Sequence, residues 1–195
     1  MPQLYELKMQ AEKIKLIVFS YIESKGLEKT KQCLKKAFLL PVEIHEPHVD
    51  ISVFYDKNRG QYNANQILRM IDELFGEDNA KTIGLFNIDL FIPIFTYIFG
   101  QAHLGGKTAI VSKYRLSNER FGIKPDPVLH HQRFCKEIVH ELGHTFGLKH
   151  CHTPTCVMRS ATYTEDVDQK SNELCPKCRK DYEILISGQS SDNQF

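Results

Sequence analysis

The chain has 195 residues, a length that suits one domain able to bury a hydrophobic core without disulfide cross-links. Its 25 Lys and Arg residues almost balance its 24 Asp and Glu residues, which leaves a net charge of +1. Such a balance provides no basic surface for a phosphate backbone or an anionic membrane, so we expect neither nucleic acid nor membrane as a partner.

The apolar stretches are too short or too interrupted for a secretory signal or a membrane span. Lysines flank the first run, at 16–19, and polar residues and Pro93 break the longest one, at 85–99. We therefore expect a cytoplasmic protein, and for its oligomeric state we predict a monomer.

Strand and helix patterns alternate through the first part of the chain. The predicted strands are, in order, 14–21, 42–45, 82–88 and 108–112. One helix is predicted at 26–38, and a second begins at Asn63 or Asn65 and ends before Gly76. Between them, 51–55 is compatible with a strand and 57–60 is typical of a turn. This alternation predicts an α/β (α+β) fold with a mixed β-sheet.

The segment 99–112 is rich in glycine. Gly100, Gly105 and Gly106 permit bulges and close approach of another backbone, which an edge strand beside a binding cleft requires. An ordinary hairpin with a glycine turn explains the same residues equally well.

A long helix is predicted from Pro127 to Phe146. Asp126 is a suitable capping residue, and a proline in the first turn loses no hydrogen bond. Apolar residues recur every four positions along this helix, at Phe134, Ile138, Leu142 and Phe146. This apolar face is expected to pack into the core and to leave the opposite face along a cleft.

A motif with metal-ligand spacing lies at the end of this helix. His140 and His144 are four residues apart, so their imidazoles project from the same helix face. Gly147 can adopt a left-handed conformation that returns the chain and brings His150 to the same ion. Three neutral imidazoles leave one zinc coordination position open for water, which is typical of a catalytic site.

Glu141 follows the first ligand and lies about 100° away around the helix. Zinc lowers the pKa of a bound water to about 7 and can stabilise an oxyanion. Glu141 is the expected general base, which accepts the proton of that water and passes it to the departing amine. These residues indicate hydrolysis of a peptide bond.

Four cysteines in two closely spaced pairs suggest a second metal site. They are Cys151, Cys156, Cys175 and Cys178. Four thiolates form a closed tetrahedral zinc site, whereas unliganded thiols are the alternative. His152 is close enough in sequence to replace Cys151 as a ligand. Cys33 and Cys135 are expected to be small core or surface residues.

After Met158 the chain becomes polar. The acidic stretch 164–168 has no glycine-bearing calcium loop, so we predict a solvated charged segment. A C-terminal helix that includes 182–186 is expected to dock on the core, and 188–195 to fray.

The zinc motif with a following methionine resembles the metzincin metallopeptidases, in which that methionine lies in a turn beneath the metal; Met158 is the matching position. The four cysteines make the chain similar to the archaemetzincins. That resemblance implies two Zn²⁺ ions per chain, one catalytic and one structural, with Cys151 rather than His152 as a structural ligand. Metzincins also pair an extended substrate with an edge strand above the zinc, for which 99–112 is the candidate.

The resemblance also implies the organisation and activity of the chain. It implies a single catalytic domain over 1–195, with an upper subdomain at 1–147 that holds the sheet and active-site helix. A lower subdomain at 148–195 holds the methionine turn, the cysteine site and the C-terminal helix. The implied function is a zinc metallopeptidase acting on peptides or proteins, with aminopeptidase-like cleavage of short peptides as the expected specialisation. The alternative is a zinc-stabilised peptide-binding module with little turnover.

One position departs from several metzincins, which have a tyrosine two residues after the turn methionine. Here that residue is Ser160, and no role is assigned to the nearby Tyr163.

Overall fold

The computed structural model describes residues 11–187. The strands, in chain order, are β1 (Lys13–Val18), β2 (Val42–His45), β3 (Tyr55–Asp56), β4 (Gln61–Asn63), β5 (Ala80–Phe86), β6 (Leu90–Phe91), β7 (Gly100–Ala102) and β8 (Thr108–Ser112). The helices are α1 (Ser24–Phe38), α2 (Ala64–Phe75), α3 (Pro127–Thr145), α4 (Thr164–Gln169) and α5 (Pro176–Ser187). Short 3₁₀ turns occur at Ser52–Phe54, Tyr114–Leu116 and Asn118–Phe121.

The main sheet has five strands in the order β2-β1-β5-β8-β7. The first four strands are parallel, whereas β7 pairs antiparallel with β8 and forms one edge. A smaller sheet has the order β3-β4-β6. The predicted α/β fold with a mixed sheet is therefore confirmed.

The two faces of the main sheet carry separate parts of the core. Along β8, Ala109 and Val111 belong to one apolar cluster and Ile110 to the other, as strand alternation requires. The first cluster includes residues of α1, α3 and α5, and the second is built mainly on α2. The long helix α3 therefore lies against one face of the sheet, close to its β7 edge.

Local sequence explains both boundaries of α2. The side chain of Asn63 accepts a hydrogen bond from the Gln66 backbone N–H, so Asn63 rather than Asn65 caps α2. The backbone N–H of Gly76 donates to the carbonyl of Asp72 at the other end of that helix. Both predicted ends of this helix are thus confirmed to within one residue.

Two predictions differ from the structure. The first strand ends at Val18, before the predicted boundary at 21. Segment 51–55 is mostly a 3₁₀ turn, because the Asp50 carboxylate accepts from the Ser52 N–H and hydroxyl and turns the chain. The acidic stretch 164–168 lies in the short helix α4; Glu165 and Asp168 are exposed, as predicted for a solvated charged segment, and Asp168 also pairs with buried Arg133.

The C-terminal helix is present and buries Tyr182 against Phe38 and Phe146. The predicted fraying of 188–195 falls outside the described residues. Between residues 11 and 187, no helix has the length and apolar character needed to cross a membrane.

Candidate metal centre

The helix that carries the histidine motif begins as predicted. Asp126 accepts a hydrogen bond from the Leu129 N–H at 2.9 Å, and Pro127 is the first helical residue. The four apolar residues of the predicted core face are all buried: Phe134, Ile138, Leu142 and Phe146. The opposite face is largely buried as well, because the chain after the helix returns across it.

Gly147 makes that return possible. Its φ of 99° lies in a region that side chains with a Cβ rarely adopt. The N–H of Gly147 donates to the His144 carbonyl, and that of Leu148 donates to the Gly143 carbonyl. The chain therefore turns within two residues of the helix end and presents His150 to the helical histidines.

The three histidines of the motif come together. A ring nitrogen from each of His140, His144 and His150 lies within 4.8 Å of the others. The Nε2 atoms of His140 and His144 are 3.1 Å apart. His140 is buried, His144 half-buried and His150 exposed, so the cluster lies where the interior meets solvent.

Two backbone carbonyls orient these rings. Nδ1–H of His140 donates to the Val157 carbonyl at 2.8 Å, and that of His144 donates to the Leu148 carbonyl at 2.7 Å. Because a carbonyl only accepts, the proton occupies Nδ1 and leaves the Nε2 lone pairs facing each other. Burial lowers the pKa of all three imidazoles, most strongly for His140, so they stay neutral. Neutral imidazoles with converging lone pairs fit a zinc ion.

The carboxyl side chain of Glu141 lies beside this cluster and below the edge strand. Burial and the neighbouring Glu137 raise the pKa of Glu141 well above its ordinary value. A Cβ at Gly100 would lie only 2.7 Å from Glu141 Cγ. Only a glycine allows β7 to pass this close to the carboxyl group.

In the described part of the chain, no strand pairs with the outer edge of β7. The Phe99 carbonyl and the His103 N–H both bond to β8, so strand alternation directs the N–H and C=O groups of Gly100 and Ala102 outward. The following glycine turn is fixed to α3, because the Gly105 N–H donates to the His144 carbonyl at 2.8 Å. The segment 99–112 is thus a hairpin whose first strand is also the sheet edge beside Glu141.

Met158 lies directly against the helix. It is fully buried, and a Cβ at Gly143 would lie 2.9 Å from Met158 Cε and closer still to its sulfur. The Met158 carbonyl accepts a hydrogen bond from the Cys151 N–H at 2.9 Å. Gly143, which sequence reasoning overlooked, is the residue that makes room for the methionine.

The four predicted cysteines also form a cluster. Their sulfurs all lie within 4.8 Å of one another, and those of Cys151 and Cys175 are 3.8 Å apart. His152 is exposed and does not join them. Burial raises the pKa of Cys175, but hydrogen bonds from the Cys178 backbone and from Thr153 and other cysteines outweigh it, and the pKa falls to about 6. Four sulfurs at this spacing fit a closed metal site.

The cysteines outside this cluster have different surroundings. Cys135 is buried and Cys33 half-buried, and both lie outside the cluster of four sulfurs. Tyr163 is 61% exposed and immediately precedes α4.

An ion pair beneath the histidines was not predicted. Lys170 Nζ lies 2.8 Å from Glu137 Oε1, and both residues are buried. Glu137 had a detectable signal, since it lies one helical turn before Glu141 on the same face. Lys170 had none, because no local pattern indicates which lysine will be buried.

The chain matches known proteins over most of its length. The sequence profile of peptidase family M54 matches residues 9–183. Archaemetzincin from Pyrococcus horikoshii is 41% identical over 139 residues, which cover 69% of this chain and 74% of that protein. Archaemetzincin from Archaeoglobus fulgidus is 35% identical over 158 residues, which cover 80% of this chain and 91% of that protein.

Solved structures agree with these matches. The crystal structure of archaemetzincin from Methanopyrus kandleri has a TM-score of 0.78 at 32% identity, covering 91% of this chain and 96% of that one. That of archaemetzincin from Archaeoglobus fulgidus, complexed with malonate, has a TM-score of 0.73 at 35% identity, covering 86% and 98%.

The mixed α/β scaffold, the converging histidines and these relatives together define a zinc-dependent metallopeptidase. The chain belongs to peptidase family M54, and the resemblance to archaemetzincins drawn from its motifs is confirmed.

Proposed function

We propose that His140, His144 and His150 hold the catalytic zinc and that Glu141 is the general base for hydrolysis of a peptide bond. The observation that carries this proposal is the convergence of the three imidazoles, with two Nδ1 atoms bonded to backbone carbonyls. Gly147 supports the site by turning the chain, and Met158 by packing beneath the histidine-bearing helix.

A zinc ion held by these three histidines would act as a Lewis acid, activating a water molecule and stabilising negative charge on the carbonyl oxygen. The proton transfer is assigned to a side chain of the protein. Glu141 accepts a proton from the attacking water and delivers it to the departing amine. Glu141 is buried, and β7 passes directly against its side chain at Gly100.

The outward backbone groups of β7 bind the main chain of the substrate. Gly100 and Ala102 present N–H and C=O groups at the sheet edge beside Glu141, where an extended peptide can add as another strand. Main-chain recognition of this kind places few demands on substrate side chains. The proposed substrates are peptides or proteins, with short peptides and free N-termini as the preferred class.

The four cysteines are proposed to hold a second, structural zinc, which makes two ions per chain. This ion would connect the loop after His150, which carries two of the cysteines, to the start of α5, where the other two lie. The proposed organisation is one catalytic domain with an upper part at 1–147 and a lower part at 148–195. The protein is proposed to act as a cytoplasmic monomer.

Replacement of Glu141 tests the mechanism. Glu141→Gln keeps the shape of the side chain but removes the base, so we expect full zinc content and a loss of kcat by at least ~100-fold. Elemental analysis and cleavage of a peptide library measure both quantities. His144→Ala, the companion variant, is expected to lose one zinc together with cleavage.

Undiminished cleavage by pure, zinc-loaded Glu141→Gln would remove Glu141 from its role. Absence of cleavage by the zinc-loaded wild-type chain, with peptide binding retained, would instead favour the binding module.

A further inference from the structure

A buried ion pair lies one layer below the histidine cluster. Lys170 Nζ donates to Glu137 Oε1 at 2.8 Å, and the two side chains are 0% and 4% exposed. A charge this deeply buried is tolerated only when it is paired and hydrogen-bonded. Loss of either side chain would leave the charge of the other buried without a counter-charge.

The ammonium group of Lys170 joins three parts of the molecule. Lys170 itself follows the last residue of α4, and Glu137 lies on α3 three residues before His140. Lys170 Nζ also donates to the Arg159 carbonyl at 3.1 Å, in the turn that contains Met158. One charged group therefore fixes this turn against the histidine-bearing helix.

The same turn orients the first histidine. The Val157 carbonyl, two residues before Arg159, accepts the Nδ1–H of His140 at 2.8 Å. Met158 lies between these two residues and touches the helix at Gly143. A displacement of the turn by a few tenths of an ångström would change the direction of the His140 ring.

We propose that Lys170, through Glu137 and the Arg159 carbonyl, is a positioning residue for the zinc centre that holds turn 157–159 against α3 and so orients His140. This inference rests on the proposed role of His140 as a zinc ligand. Outer partners of metal-bound histidines typically change metal affinity or activity by 10- to 100-fold when removed.

The proposal separates zinc affinity from fold stability. Lys170→Met leaves the Glu137 carboxylate buried without its partner, and Glu137→Leu does the same to the Lys170 ammonium group. Each single variant should therefore have a lower unfolding temperature than the wild type. The double variant replaces the pair with apolar side chains of similar size, a change that often restores or increases stability. It does not restore the bond to the Arg159 carbonyl, so zinc affinity should stay low.

The experiment measures zinc dissociation from the histidine site by chelator competition, with Co²⁺ absorption to distinguish imidazole from thiolate ligation. The expected result for the double variant is an unfolding temperature near that of the wild type and zinc affinity at least ~10-fold weaker. Lys15→Met is a matched control, because Lys15 joins the Phe75 carbonyl to Glu77 on the far side of the sheet. It should lose stability and keep zinc.

Zinc affinity within twofold of the wild type in the stable double variant would overturn the proposal, as would equal zinc loss in Lys15→Met. A double variant that does not fold would assign the pair to folding as a whole, which also overturns a role specific to the zinc centre. Because zinc is measured without substrate, a wild-type chain that binds zinc at the histidines but cleaves nothing counts against the proposed function alone. A wild-type chain without zinc there removes the proposed function before any variant is made.

Discussion

At the scale of single residues, the candidate site depends on two glycines that permit close contact. Gly100 allows the edge strand to pass over Glu141, and Gly143 allows Met158 to lie against the helix. In both places a Cβ would overlap an atom that the proposed mechanism needs in place. The absence of a side chain is here a requirement of the site itself.

Gly100→Ala is expected to reduce kcat/KM by at least ~10-fold, because misplacement of a catalytic group by about 1 Å can reduce the rate by ~100-fold. Its Cβ would lie 2.7 Å from Glu141 Cγ and 2.7 Å from the Ile110 carbonyl, so Glu141 or the strand must move. Steady-state kinetics at full zinc occupancy measure the effect.

The neighbouring Gln101→Ala is the control, since that side chain faces Asn65 of α2 and not Glu141. Equal losses of kcat/KM in the two variants would show that the strand is damaged as a whole, and the specific role of Gly100 would be wrong.

At the scale of secondary-structure elements, α3 connects the core to the site. Its capped start, buried apolar residues and glycine turn all agree with its sequence. The hairpin of β7 and β8 is attached to its end through the Gly105 N–H, and turn 157–159 is attached through His140 and Lys170. The helix is therefore held on both sides of the histidine cluster.

Asp126→Ala removes the cap of this helix and is expected to lower the free energy of unfolding by about 1 kcal/mol. For a domain of this size the unfolding temperature should fall by about 2–4 °C. The cap lies far from the histidines in sequence, so zinc content and kcat should not change.

Val128→Ala changes an exposed side chain on the same helical turn and should be nearly neutral. Calorimetric unfolding of the two variants compares them directly. Equal unfolding temperatures would contradict the contribution of the Asp126 cap.

At the scale of the whole molecule, the two proposed metal sites share neighbouring residues of the chain. His150 belongs to one cluster and Cys151, the next residue, belongs to the other. The cysteine cluster also holds α5, whose Tyr182 packs on Phe38 and Phe146. Loss of the cysteine-bound ion should therefore affect both the fold and the third histidine.

Cys175→Ser is expected to release one zinc, lower the unfolding temperature and reduce cleavage, because His150 loses its neighbouring anchor. The measurements are zinc content by elemental analysis, the unfolding temperature and the rate of peptide cleavage. Cys33→Ser is the control, since Cys33 lies outside both clusters and should keep both ions. Release of one zinc without a change in stability or cleavage would disprove the coupling between the sites.

Motif spacing and periodicity predicted the parts of this protein that depend on short stretches of chain. The helix from Pro127, the strands at 42–45 and 108–112 and the histidine cluster follow from residues a few positions apart, and the cysteine cluster follows from two closely spaced pairs. The 3₁₀ turn at Ser52–Phe54 was not predicted, because a single capping carboxylate at Asp50 outweighed a weak strand pattern.

The amino-acid sequence by itself determined which groups could bind metal, namely three imidazoles and four thiols, and placed a carboxylate next to the first imidazole. The tertiary structure alone decided which distant groups surround these side chains. Lys170 reaches Glu137, β7 passes over Glu141 through Gly100, and the Val157 carbonyl orients His140. Local pattern reflects the geometry of one helix or strand, whereas these contacts join separate elements whose positions are set by packing of the whole core.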